Sequence, residues 1–184
     1  MDVDWNAELI DQLEDHWHGQ LRPRLDGLSD EEFFWHPAPG AWTLSRRGES
    51  AALVSFGEGE FTLDYADPPP DPPPVTTIAW RLGHLIDVFG PPDVPHFDRP
   101  RLDHQDTGYP GSATAALTRL DEAHDAWISD LRALGAVGLG RAQEEPPQFA
   151  NAPMAKLVLH THREIIHHGA EISLLRDLYR TRPN

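Results

Sequence analysis

The stretch HTHREIIHHGAEISLLRDLY, from His160 to Tyr179, sets four histidines and two glutamates among apolar residues. On a helix advancing about 100° per residue, Glu164 and His168 lie within roughly 40° of each other. Leu157, Ile165, Ile172 and Leu175 flank them on that face, so two metal-ligand side chains point where a core is expected. A carboxylate buried beside an imidazole is costly unless a partner compensates, and a divalent metal ion is one such partner. A third ligand must then come from elsewhere in the chain.

His84 meets that need. It lies in TTIAWRLGHLIDVFG, one helical turn from both Trp80 and Val88. Two ligands at i and i+4 on one helix and a third on a facing helix hold an ion inside a bundle and leave coordination positions open for water or substrate. The same residues are also compatible with a buried, hydrogen-bonded His and Glu pair holding no ion. His160, one turn before Glu164, is a candidate fourth ligand or a hydrogen-bonding neighbour of the ligands, with His167 a weaker one. His162 points to the far side. A set of two histidines and a glutamate suits zinc, nickel or iron(II).

Four helices must position these groups. The first runs from Asp4, a candidate N-cap, to about Arg24 on the four-residue spacing of Trp5, Leu9, Leu13, Trp17 and Leu21, with Pro23 and Gly27 marking its end. His16 and His18 fall near its C-terminal end, where the helix dipole favours cations. Ser29 with Asp30, Glu31 and Glu32 has a capping-box pattern and opens a short helix that Pro37 stops. Phe33, Phe34, Trp35 and Trp42 are expected to cover one end of the core. Residues 43 to 75 read as irregular, with at most a hairpin around Phe61 to Tyr65 and a stiff proline-rich connector over 66 to 75. The His84 helix is capped by Thr76 or Thr77 and stopped at Gly90 and Pro91.

Between 91 and 111 lies a polar loop that could fold over a site, with His96 and His104 expected in solvent. A third helix spans about Ser112 to Leu134, with His124 as a partly buried member. After GAVGLG and the proline-bearing QEEPPQF, the last helix starts near Pro153, suited to N1, and runs to about Tyr179. The expected fold is all-α: one four-helix-bundle domain over 1–184 with long irregular connections.

With 184 residues one good core is enough. The formal charge of -15 gives no basic footprint for nucleic acid. No apolar run has the length of a membrane span, and the acidic, amphipathic start is unlike a signal peptide, so a cytoplasmic protein is expected. The chain has no cysteine, hence no disulfide, no thiolate metal site and no cysteine nucleophile. Spare apolar positions on the last helix, Leu159, Ile166 and Ala170, make a homodimer an open expectation; other helices could equally cover them.

WRLGHL around His84, HREIIHHGAEISLLRDLY at the end and LSDEEFFWHPAPGAW near the start together resemble the DinB-like superfamily of metal-binding four-helix bundles. That superfamily includes bacillithiol- and mycothiol-dependent transferases. Its first ligand is a histidine on the second long helix, and the others are spaced i, i+4 on the last helix, commonly His-xxx-His. Glu164 stands here in place of the first of that pair. The mycothiol-dependent maleylpyruvate isomerases are similar in having His and Glu-xxx-His, so the resemblance implies the ligand role for His84, Glu164 and His168. Those isomerases carry an additional domain beyond the helical part.

The leading expectation is therefore a divalent-metal-dependent S-transferase or isomerase acting on a small molecule with a low-molecular-weight thiol such as mycothiol, the ion lowering the thiol pKa. Arg81 is a candidate for a substrate carboxylate or for a surface ion pair. Two alternatives are a metal-dependent hydrolase, with His160 the nameable base, and a non-catalytic, stress-related metal-binding module.

Overall fold

The computed structural model describes residues 2–90, 97, 108–143 and 149–183. Helix α1 (Trp5–His16) starts at Asp4, whose carboxylate accepts from the backbone N–H groups of Asn6 and Ala7. It continues through a π-helical segment (Trp17–Leu21) into α2 (Arg22–Arg24). The helix ends at Arg24, as the sequence leads one to expect, with Pro23 in its last turn and the ladder shifted just ahead of it. Proline cannot donate to the carbonyl four residues back, and Arg22 N–H reaches Trp17, five residues back. Gly27, at φ 69°, turns the chain after it.

The short helix α3 (Asp30–Phe33) has the expected Ser29 cap, with Glu32 N–H donating to its hydroxyl. The reciprocal half of a capping box is not made. Glu32 is buried and gives both carboxylate oxygens to Arg176, at 2.7 and 3.1 Å. Helices α4 (Ile78–Phe89), α5 (Ala113–Gly138) and α6 (Met154–Thr181) complete the helical set. Helix α5 outruns its expected end at Leu134 by kinking at Gly135, where φ is 62°. Pro153 is the N-cap of α6 rather than its first helical residue.

The long helices pack in an up, down, down, up order. Asn6 reaches the Leu131 carbonyl and Arg22 pairs with Asp121, so α1 and α5 are antiparallel. Arg81 meets Glu171, and Thr161 donates to the Val88 carbonyl, so α4 and α6 are antiparallel. A Cβ on Gly169 would touch Leu21, while Arg176 donates to the Arg24 carbonyl, so α1 and α6 run parallel. By the same contacts α4 and α5 run parallel. His96, His104 and most of the stretch between these two helices lie outside the described residues, as does much of QEEPPQF.

An all-α fold needs one correction. Residues 43 to 65 contain a three-stranded antiparallel sheet, β1 (Leu44–Arg46), β2 (Val54–Phe56) and β3 (Phe61–Tyr65), in the order β1-β3-β2. Glycine-rich turns hid it, and its strands are too short for an alternating pattern to stand out. The central strand β3 is buried because Leu44 and Leu63 press on α4 at Gly83, where a Cβ would lie 3.1 Å from Leu63. The protein is thus mostly helical with a small sheet against one side.

The core joins Leu13, Phe33, Leu82, Leu120, Trp127 and Ile165, all buried. His124 is more deeply placed than expected: it is 2% exposed and stacked on Trp17 with ring centroids 4.0 Å apart. Along α6, Leu159, Ile166, Leu174 and Leu178 are exposed, so no other described element covers this face.

His162 is also buried, and neither ring nitrogen has a hydrogen-bond partner among the described residues. Burial pushes its pKa down to about 4. The folded pKa lies below the unfolded value of 6.5, so stability present above that value is lost as pH falls from it toward 4. The expected loss is about 3 kcal/mol, read as a falling urea midpoint across this window. His162→Leu should flatten that part of the profile; an unchanged slope would discard this account.

Candidate metal centre

The N-terminus of α4 is fixed before the site begins. Trp80 N–H donates to the Thr77 hydroxyl, Thr77 N–H to the Trp42 carbonyl, and the Thr77 hydroxyl lies 3.0 Å from that of Thr43. The Trp80 indole N–H donates to the Asp64 carbonyl of β3 at 2.8 Å, and its ring stacks on His84, centroids 5.3 Å apart. Trp42 lies 6.2 Å from Trp80, so a run of aromatic rings leads from the start of α4 to His84.

Across from it, α6 presents Glu164 and His168 on one face. Glu164 Oε2 is 3.3 Å from His168 Nε2 and 3.7 Å from His84 Nε2. The two imidazoles meet edge to face, 4.9 Å between centroids. One ligand atom from each of the three residues lies within 4.8 Å of the other two. The structure therefore brings together the three residues singled out from spacing, two from α6 and one from α4.

This donor set fits a divalent ion. Ligand atoms about 2.0–2.2 Å from a metal, at near-tetrahedral or right angles, are roughly 3.0–3.5 Å apart. The two separations from Glu164, 3.3 and 3.7 Å, are at or slightly above that range. The protonation states also suit a ligand set. Burial lowers the pKa of His84, against the pull of Glu164, and pushes His168 down to about 4, with His84 and Arg81 adding to the effect. Burial by itself would raise the Glu164 pKa, but the hydrogen bond from Arg163 and the nearby His160 and His168 hold it below the usual value. At neutral pH two neutral imidazoles thus stand beside an ionised carboxylate, the protonation states that metal binding requires.

The remaining candidates are placed as follows. His160 is half exposed and outside the group of three. Its Nδ1 is 3.5 Å from the other Glu164 oxygen, Oε1, which also accepts from Arg163. His167 is exposed, with Nε2 3.4 Å from Glu171. His162 is buried and belongs neither to the group of three nor to a second set, His167, His168 and Glu171, whose ligand atoms also lie within 4.8 Å of one another. Arg81 is not a surface group: its side chain is 13% exposed and paired with Glu171. Burial pushes its pKa down to about 10, leaving it cationic at neutral pH.

Glu171 was missed in the sequence. Its Oε2 lies 2.6 Å from His168 Nδ1 and accepts from Arg81. The available signal was its spacing: i+3 from His168 and i+7 from Glu164 places it on the same face of α6.

A bundle of long helices with a small flanking sheet, and a His, Glu and His group shared by its second and last long helices, defines a class of helical proteins with a potential metal centre. Residues 51–172 match the family model of the DinB superfamily, which is more than half of the chain, and the protein belongs to that superfamily. The matched region contains all three residues of the group and Glu171. No curated protein and no solved structure matches the chain.

Proposed function

We propose that the protein is a divalent-metal-dependent enzyme that uses a low-molecular-weight thiol, such as mycothiol, in an S-transfer or isomerisation of a small electrophile. The observation that carries this reading is the convergence of His84, Glu164 and His168 within 4.8 Å, which leaves coordination positions open. When bound there, a zinc, nickel or iron(II) ion supplies Lewis acidity that lowers the pKa of a coordinated thiol. The absence of cysteine is consistent with a nucleophile brought in from outside.

The chain's own residues hold and orient. Glu164 directs Oε2 toward both imidazoles while Arg163 occupies Oε1, an arrangement that favours one-oxygen binding to an ion. Trp80 backs the His84 ring and limits its rotation. No helix among the described residues is long and apolar enough to cross a membrane.

The test loads the purified protein with zinc, nickel or iron(II) and offers mycothiol, bacillithiol and glutathione with a panel of electrophiles. Thiol consumption and product formation are expected with one thiol, and are expected to disappear in Glu164→Ala. Full metal loading without turnover for any thiol would reject the enzymatic reading.

A further inference from the structure

We infer that Glu171 is a positioning residue that fixes the tautomer of His168, keeping the proton on Nδ1 so that the Nε2 lone pair faces Glu164 and His84. The inference rests on the metal-binding reading of the three residues, but concerns a property of the chain that exists without the ion.

Glu164 Oε2, 3.3 Å from Nε2 of His168, is a carboxylate that draws the ring proton to Nε2, so Nδ1–H rests on the closer acceptor at Nδ1, where two groups compete. Glu171 Oε2 stands 2.6 Å away, and as a carboxylate oxygen it can only accept, which requires the ring proton to be on Nδ1. Arg81 Nη1 stands 3.1 Å away, and a guanidinium can only donate, which would require Nδ1 to be bare and the proton to be on Nε2. Both demands cannot be met by one neutral ring. Arg81 donates to the same Glu171 oxygen, so the carboxylate takes hydrogen bonds from the guanidinium and the imidazole together and resolves the conflict in favour of Nδ1–H. The partner of one ring nitrogen thereby decides whether the other has a lone pair to give.

Remove Glu171 and the balance reverses. Arg81 is left beside Nδ1 as a donor without its carboxylate, so it draws the lone pair of Nδ1 and sends the proton to Nε2. The nitrogen that faces Glu164 would then carry a hydrogen and lose its ability to bind a metal. Arg81 is neutralised as a threat to the site only while Glu171 is present. This separates the proposal from a general loss of packing: taking away Arg81 as well should restore part of the metal affinity that the loss of Glu171 took.

The test is made on metal-free, ¹⁵N-labelled full-length protein, with the ring nitrogens of His168 observed by long-range ¹⁵N–¹H NMR near neutral pH, and with zinc affinity measured separately by calorimetry. Wild type is expected to show Nδ1 protonated and Nε2 bare. Glu171→Leu should move the proton to Nε2 and weaken zinc binding by about 10–100-fold. Arg81→Leu combined with Glu171→Leu should recover part of the zinc affinity, because no donor then holds the Nδ1 lone pair and the ring proton is free to move to Nδ1 when the ion binds. Glu171→Gln, which conserves size and an acceptor oxygen, should retain more of the Nδ1–H form than Glu171→Leu and serves as the control for folding. A wild-type ring protonated on Nε2, or an Nδ1–H form that persists unchanged in Glu171→Leu, would overturn the inference. The expected wild-type tautomer together with no zinc uptake would overturn the metal reading and leave the tautomer assignment standing.

Discussion

Arg176→Met is expected to destabilise the protein by about 3–5 kcal/mol, the usual result of removing one member of a buried ion pair. The urea midpoint should fall with little change in slope. Arg176 is 1% exposed and Glu32 is 4% exposed. The guanidinium donates to both Glu32 oxygens and to the carbonyls of Arg24 and Asp26, so one side chain ties α6 to α3 and to the chain leaving α2. Without it the Glu32 carboxylate is buried with no counter-charge, and that uncompensated charge makes up most of the cost. The double variant Arg176→Met with Glu32→Leu should therefore be more stable than the single one. Recovery should be incomplete, because two carbonyls still lose their donor, at about 1 kcal/mol each. A single variant within 1 kcal/mol of wild type would show that water replaces the guanidinium easily and that the pair is not what closes this end of the bundle.

That pair also marks where local sequence rules gave the wrong partner. Ser29 and Glu32 have the spacing of a capping box, yet only the serine half forms, because an arginine more than a hundred residues away competes for the glutamate. The helices themselves were legible: apolar periodicity with Asp4, Ser29 and Thr77 as caps places α1, α3 and α4 closely. The end at Arg24 was legible too, whereas the π-helical step that accommodates Pro23 has no signal in the apolar spacing. The sheet was the larger miss. Its strands are three to five residues long, and β3 is buried across its middle by contact with α4 rather than by any pattern of its own.

The site was legible for a different reason. An i, i+4 pair of Glu and His on an apolar stripe can be read from one helix alone, and His84 shares its face with Trp80 and Val88, so the geometry needed no long-range information beyond two helices facing each other. Glu171 and Arg81 did need it. Arg81 is adjacent in sequence to nothing that reveals its pairing, and Glu171 looks like a solvated charge until α4 is laid against α6. Arg81 does form an ion pair, but a largely buried one rather than a surface one, because the carboxylate it meets comes from the facing helix α6.

Metal binding should depend on Glu164 as strongly as on either histidine, and this is the second effect expected to be large. Zinc at about 100 times its dissociation constant should raise the unfolding free energy of wild type by about 2.7 kcal/mol, through binding to the folded state alone. Glu164→Ala, His84→Ala and His168→Ala should each lose this increment, since each removes one of three donors, a larger defect than the about 10–100-fold loss that follows removal of a supporting hydrogen bond. His160→Ala should keep it, because His160 sits on the Glu164 oxygen that faces away from the two imidazoles. The contrast between His84 and His160 is the decisive one. If the ion were held by the histidine-rich surface of α6 in general, His160→Ala would weaken binding and His84→Ala, on α4, would not; if it is held by the group shared between α4 and α6, the three ligand variants lose it and His160→Ala does not. Equal zinc content in wild type and all four variants would leave Glu164, His84 and His168 as a hydrogen-bonded cluster only, and the metal-dependent reading would fall with it.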